Sequence, residues 1–304
     1  MDVQTATQLY LSNTQALCYQ YIMSEAGMMS LHDHIDELRS RILRITICVV
    51  ILTIFSMSFG IKPFVLHYSI NGNNNNNDIL RLYYPYPDPF KNIAIHLTSY
   101  MQKTLLPSEV KLIQTAPGQA FFAQVYVSLL IGIIGSMPII AKEIFGFVSP
   151  AIGKRTKKIG TFNVFLPTIS LFITGIIFAY ILVIPFTLNF LYKYGQAIGV
   201  ETFLNINDFI SFVLQFFLGF GIAFELPIFM YAISLTGVIN PRFWRKNFRY
   251  AAFILVIFGA IITPDGSGVT MWFVAGPMIT LYLIGMISIE RRQNRTTTET
   301  ENFH

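Results

Sequence analysis

Long apolar stretches separated by short polar segments dominate the chain. The stretches 45–61, 112–141 and 159–192 contain no charged residue, and 209–241 and 250–289 contain one each. A helix needs about 20 apolar residues to cross a hydrocarbon core of ~30 Å. Because the stretches are continuously apolar and lack the alternation of barrel strands, they predict membrane-spanning helices.

The last apolar stretch is long enough to cross twice, and the turn-forming segment 263–268 interrupts it. We therefore predict an all-α integral membrane protein with six transmembrane helices and a short last hairpin. A weakly structured extension (1–28) precedes the membrane domain (29–290), and a polar cytoplasmic tail (291–304) follows it. The predicted spans lie near 43–61, 119–141, 160–190, 208–237, 247–263 and 269–289.

Composition supports a membrane protein. Charged residues make up 12% of the chain and hydrophobic residues 53%, whereas soluble domains carry about 25% charged residues. These figures exclude soluble globular and disordered classes. Two cysteines, Cys18 and Cys48, and five scattered histidines form no disulfide or metal-ligand pattern. No metal, cofactor or nucleic-acid partner is expected, and no nucleotide-binding or Ser/His/Asp motif indicates an enzyme.

The distribution of Lys and Arg predicts the orientation of the spans. The two termini and the even-numbered loops hold 15 of these residues, and the odd-numbered loops hold 6. Since cytoplasmic loops carry the excess, both termini should be cytoplasmic. The N-terminus lacks the basic and apolar regions of a secretory signal. A multi-pass protein of the cell membrane is expected, with an organellar inner or thylakoid membrane left open.

The first loop, 62–119, should be external. It contains an asparagine run at 73–77, and the alternate prolines in 83–89 exclude a helix there. The segment 93–106 has the pattern of a short amphipathic helix.

A polar segment leads into the first span. Ile35, Leu38 and Ile42 fall on one helical stripe, and Glu37 and Arg41 are spaced as an i,i+4 pair. On spacing alone, this is an amphipathic helix with solvated charges.

The same segment resembles a known family. His34-x-x-Glu37-Leu38-Arg39-x-Arg41 is similar to the opening motif of TatC, the multi-span subunit of the twin-arginine protein translocase. Three further blocks agree in order: Met137-Pro138-Ile139-Ile140 with Phe145-x-Phe147-x-x-Pro150; Phe220-Gly221-x-x-Phe224-Glu225-x-Pro227; and Thr263-Pro264-Asp265 followed by Ala275-Gly276-Pro277 and Leu281-Tyr282.

The resemblance implies a function that is not enzymatic. A TatC-like protein binds the twin-arginine signal peptides of folded precursors and assembles an export site with single-span TatA/TatB-type subunits. It would contact membrane lipid, form a homo-oligomer within a larger complex, and draw energy from the proton gradient.

The resemblance also implies a signal-peptide site. Arginine presents a planar bidentate fork that a carboxylate can read and that lysine lacks. Glu37 is the first candidate for that contact. Arg39 and Arg41 would order Glu37 or bind lipid phosphate, although positive-inside anchoring explains both almost as well.

Two positions depart from the family pattern. Thr156 stands where the family has a glutamate after the second cytoplasmic block, so Glu143, or Asp33 and Asp36, would replace it. The alternative for Glu143 is an interfacial charge paired with Lys142 or a neighbour. Leu283 stands where the last span often has a glutamate.

Glu225 is a carboxylate near the middle of a span, where it costs about 3 kcal/mol on insertion scales. We expect it to face a partner span or a polar passage, with Gln215 and Pro227 favouring a locally opened helix. A structural hydrogen bond between helices is the alternative. By resemblance, Asp265 belongs to the last hairpin tip, although it also suits a plain turn former.

Prolines in or beside the spans predict kinks and therefore a concave wall of helices. The predicted structural kinks are at Pro138, Pro150, Pro227 and Pro277.

A second functional class is a proton- or ion-coupled secondary transporter that uses Glu225 and Asp265 as a relay. Transporters commonly contain repeated halves, and no internal repeat is evident. A third interpretation, a membrane insertase, would require a basic residue inside the bilayer, and the predicted spans contain none away from their ends.

Overall fold

The computed structural model describes residues 31–68, 78–107, 109–148, 161–235, 239–240, 242–263 and 268–301. The extension 1–28 and the asparagine run lie outside the described residues. So do Pro150, Thr156 and Asp265.

Helices make up most of the described chain. A π-helical turn, Ala179–Val183, joins α4 to α5 without a break. The helices are α1 Leu31–Ser58, α2 Ile93–Leu105, α3 Gln119–Val148, α4 Thr161–Phe178, α5 Ile184–Ala197, α6 Ile206–Phe224, α7 Leu226–Leu235, α8 Arg242–Lys246, α9 Phe248–Ile262 and α10 Gly268–Glu301.

Five helical segments of the described chain are long and apolar enough to cross a membrane: Ile35–Ser58, Gln119–Phe147, Phe165–Ala197, Ile206–Ser234 and Gly268–Arg291. The apolar helix α9 has 15 residues and is therefore about 23 Å long at 1.5 Å per residue. The structure thus supports a mostly helical membrane protein. Six crossings remain a prediction that depends on α9.

The all-α expectation missed two small sheets in the described chain. Strands β1 (Phe59–Tyr68) and β2 (Asp78–Pro87) form an antiparallel ribbon. Strands β3 (Lys111–Ile113) and β4 (Phe203–Asn205) pair in parallel. The predicted helix in the first loop is confirmed as α2.

The ribbon accommodates its prolines through its register. Phe59 pairs with Pro87, Ile61 with Pro85, and Pro63 with Tyr83. All three prolines therefore fall in the same alternate set of pairs. In an antiparallel ladder one such set makes no inter-strand hydrogen bonds, so the missing proline N–H groups cost the ribbon nothing. The absence of helix near Pro85 and Pro87 is confirmed.

The chain divides into two compact units, with the boundary between Arg44 and Ile45. In the second unit α6 supplies the centre of the core. Its side chains Phe209, Phe216 and Phe220 are completely buried.

Glycines allow α4 and α6 to approach closely. A Cβ atom on Gly175 would lie 2.6 Å from the carbonyl oxygen of Phe220, and one on Gly221 would lie 2.6 Å from the ring of Phe172. In a membrane, the hydrophobic effect does not drive helices together, because the lipid is as apolar as the helix surfaces. Small residues instead permit the close van der Waals contact that holds helices together.

We expect Gly175→Ala to destabilise the protein by about 1–3 kcal/mol, since the obstructing atom belongs to the backbone and cannot rotate away. The matched control is Gly276→Ala, where a Cβ meets nothing within 4 Å. Thermal unfolding in one detergent should show a lower Tm for the first variant only. Equal Tm values would contradict the close contact.

Candidate functional site

The motif segment forms the first turns of α1 and lies in the first compact unit. Arg41 Nε and Nη2 donate to Glu37 Oε1 over 3.0 Å and 2.6 Å. Both side chains are largely shielded, with 18% of Arg41 and 22% of Glu37 exposed. The predicted i,i+4 pair is confirmed, and it holds the Glu37 carboxylate in one orientation.

The surroundings of this pair are exposed. The apolar residues Ile35, Leu38 and Ile42 are 61%, 40% and 52% exposed. Arg39 and Asp36 are exposed as well. The segment therefore offers a fixed carboxylate between charged and apolar side chains that are all accessible to a peptide or to lipid.

Glu143 lies in the second unit, near the C-terminal end of α3. Its side chain is only 5% exposed, while the adjacent Lys142 is exposed. Both interpretations of Glu143, a signal-peptide contact and an interfacial charge paired with Lys142 or a neighbour, stay predictions.

Glu225 occupies a break between α6 and α7. Its N–H donates to the Ile222 carbonyl over 3.1 Å, and its own carbonyl accepts from Phe229 N over 2.9 Å. Pro227 has no N–H, so the usual bond to the carbonyl of Ala223 cannot form. The helix therefore lacks one backbone hydrogen bond beside the carboxyl group, at Pro227, where the sequence predicted a local opening.

The carboxyl group of Glu225 is poorly satisfied. Its Oε1 atom is buried and has no hydrogen-bond partner among the described residues. Two neighbouring helices pack close to the break: Gly175 of α4 contacts Phe224, and Gly285 of α10 contacts Pro227. An unpartnered carboxyl oxygen flanked by two helices can accept a hydrogen bond from a polar group that enters the break.

Gln215, which the sequence groups with Glu225, does not share its site. Gln215 is exposed on α6 and lies ten residues away, about 15 Å along the helix axis. No hydrogen bond joins it to Glu225 in the described chain, and the helix opens at Glu225, not at Gln215. Asp265 lies outside the described residues.

The other prolines sit in uninterrupted helices. Pro138 is inside α3 and Pro277 is inside α10. Only at Pro227 does a described helix break beside a predicted kink. Kinks at Pro138 and Pro277, and the concave wall built on them, remain predictions, and Pro150 is outside the described residues.

Sequence reasoning missed a polar clamp formed by α7, α8 and α10. Trp244 Nε1 donates to Ser234 Oγ over 2.9 Å, and Tyr282 OH donates to the carbonyl of Trp244 over 2.9 Å. Arg245 Nη2 and Glu290 Oε2 lie 2.8 Å apart. The available signal was that an indole N–H and a phenol O–H next to apolar segments require partners.

We expect Glu225→Gln to leave the stability unchanged or raise it by about 1 kcal/mol, because the amide keeps the shape and cannot ionise in this poorly satisfied site. The control Glu290→Gln loses an exposed ion pair worth about 0.5 kcal/mol. Thermal unfolding compares both with the parent chain. A Glu225→Gln variant that unfolds well before the control would show that the carboxylate has a stabilising partner.

Three comparisons with known proteins were made. The family model of the Sec-independent protein translocase protein TatC matches residues 33–277. A TatC protein of Cenarchaeum symbiosum is 48% identical over 267 residues, which cover 88% of this chain and 97% of the relative. One from Listeria innocua is 30% identical over 267 residues, covering 88% and 91%.

Solved structures agree. A crystal structure of the twin-arginine translocase receptor TatC superimposes with a TM-score of 0.64 and 28% identity, covering 84% of this chain and 96% of that chain. A second structure of the receptor, in DDM, gives a TM-score of 0.65.

Proposed function

The chain belongs to the TatC family of Sec-independent protein translocase proteins, and we propose that it is the receptor and core subunit of a twin-arginine translocase. As a TatC protein it is a membrane-embedded translocase subunit and not an enzyme. The bound peptide, the partner subunits and the energy source are the parts that we propose.

The fixed carboxylate of Glu37 carries the proposal for signal-peptide binding. Arg41 already donates to Oε1 through two nitrogens, so the carboxylate is held by charge-assisted hydrogen bonds from a guanidinium. Two incoming arginines would bind around this pair by sharing or displacing the Arg41 contact. Lysine, with a single ammonium, cannot reproduce the planar fork. Arg39 and Glu143 complete the proposed set.

Glu225 supports the proposal for partner contact. Its Oε1 lacks a hydrogen bond among the described residues, and a polar side chain on a single-span TatA/TatB-type helix would provide one. An intramembrane hydrogen bond of this kind contributes about 1–2 kcal/mol in model peptides. The site is thus suited to a contact that forms and breaks.

The remaining parts of the proposal concern topology and energy. Both termini would lie on the cytoplasmic side of the cell membrane, with α9 as a short fifth crossing. Homo-oligomers would join the single-span subunits in a larger complex, and the proton gradient would drive export. The excess of Lys and Arg in the even-numbered loops supports this orientation.

Replacing Glu37 with Gln should weaken binding of a Ser-Arg-Arg signal peptide by about tenfold, because the variant loses the charge-assisted bonds. Exchanging the peptide's Arg-Arg for Lys-Lys should have a similar effect on the parent chain. Competition cross-linking with purified protein measures both.

The matched control is Glu290→Gln, which removes a different Arg-paired glutamate and should bind like the parent. Equal binding of the Arg-Arg and Lys-Lys peptides would contradict the receptor assignment. Normal binding by the Glu37 variant would remove Glu37 from the site.

Replacing Glu225 with Ala should reduce export of a folded twin-arginine precursor by about tenfold, the effect of losing one intramembrane contact. Signal-peptide binding should stay unchanged, since Glu225 lies outside the proposed peptide site. Export assays in cells that carry only the variant test this, with Gln215→Ala as the neighbouring polar control. Unchanged export in the Glu225 variant would overturn its role.

A further inference from the structure

Two loops of the second compact unit are joined by a short strand pair. Strand β3 precedes α3, strand β4 precedes α6, and the two pair in parallel. Next to them Asn205 Nδ2 donates to Thr115 Oγ1 over 2.9 Å and to Gln119 Oε1 over 3.1 Å. These bonds hold both loops in a defined arrangement.

A cavity of about 350 Å³ opens beside this strand pair. Glu109 and Lys111 line it from one loop, and Tyr192, Gln196, Glu201 and Phe203 line it from α5 and the segment that follows. The walls are polar, apart from the two aromatic rings and Val200.

Neutral donors orient the Glu109 carboxylate in this cavity. Its Oε2 accepts hydrogen bonds from Tyr192 OH and from Gln196 Nε2. Gln196 Nε2 also donates to Tyr192 OH over 2.8 Å. No hydrogen bond to the second oxygen, Oε1, occurs within the described chain.

The cavity carries a net negative charge, from Glu109 and Glu201 against Lys111. Among the residues that the structure describes, none of the three takes part in an ion pair. Because two carboxylates outnumber one ammonium, the cavity favours a cationic ligand and disfavours phosphate or another anion.

The shape and walls narrow the class of cation. No group of three His, Cys, Asp or Glu side chains within the described residues is arranged for a metal ion. Aromatic rings beside a carboxylate favour an organic cation, because apolar surface can pack against its alkyl chain while the carboxylate binds the charge. Phe203 is 56% exposed, so its ring is accessible.

We propose that this cavity binds a primary alkylammonium group, with Glu109 as the anionic contact and Tyr192 and Phe203 against the alkyl chain. The group could be the side chain of a lysine in a peptide or a free diamine. Neither source requires the signal-peptide site, so this inference stands independently of the proposed function.

Ligand-observed NMR on the purified full chain in detergent tests the proposal with three probes. These are Nα-acetyl-lysine methylamide, its uncharged analogue Nα-acetyl-norleucine methylamide, and 1,5-diaminopentane. We expect the lysine probe to bind about tenfold more tightly than the norleucine probe, the effect of one charge-assisted hydrogen bond. Binding of the diamine as well would extend the ligand class to free amines, and its failure to bind would restrict that class to peptides; both outcomes support the proposal.

Glu109→Gln should abolish the preference for lysine over norleucine while retaining an oxygen acceptor for Tyr192. The control Asp208→Asn removes an exposed carboxylate from the first turn of α6, outside the lining residues, and should keep the preference. Glu201→Gln provides a second test if Glu109→Gln does not fold. Equal binding of the lysine and norleucine probes, or a preference that survives both cavity variants, would overturn the proposal.

Discussion

The cost of leaving a polar group without a partner in hydrocarbon governs the organisation of the spans. Many hydroxyl groups in the spans avoid this cost by bonding to a carbonyl group of their own helix. Thr53, Thr187 and Thr263 donate to the carbonyls four residues earlier, at 2.7 Å, 2.8 Å and 3.0 Å. Glu225 is a contrasting case, as are Ser56 and Ser128, because a buried side-chain oxygen of each has no such bond within the described chain. The difference separates hydroxyl groups that bond to their own helix from buried oxygens that have no partner among the described residues.

The break between α6 and α7 determines the surroundings of the Glu225 carboxyl group. In an intact helix, this group would lie between two neighbouring spans at a membrane depth set by the helical repeat. At the break, the 3.1 Å bond from Glu225 N to the Ile222 carbonyl tightens the backbone, and Pro227 prevents the next regular bond. The glycine contacts of α4 and α10 then bring neighbouring helices up to both sides. The surroundings of the carboxyl group therefore depend on the same few residues.

Local features were predictable from the sequence, and long-range ones were not. The uncharged runs located the apolar helices, and the spacing of Glu37 and Arg41 predicted their contact. The strand pairs escaped notice because β3 and β4 are about 90 residues apart in the sequence, and neither has a pattern of its own over three residues. The grouping of Gln215 with Glu225 failed for a related reason: two polar residues on one span need not share a face or a depth.

The ribbon of β1 and β2 has few backbone N–H groups that point outward from its two edges. Residues in pairs without inter-strand bonds direct their N–H groups away from the partner strand, and Pro63, Pro85 and Pro87 have none to offer. An extended segment from another molecule would find an incomplete ladder on either side. The prolines thereby protect a membrane protein from edge-to-edge aggregation at a place where its backbone would otherwise invite it.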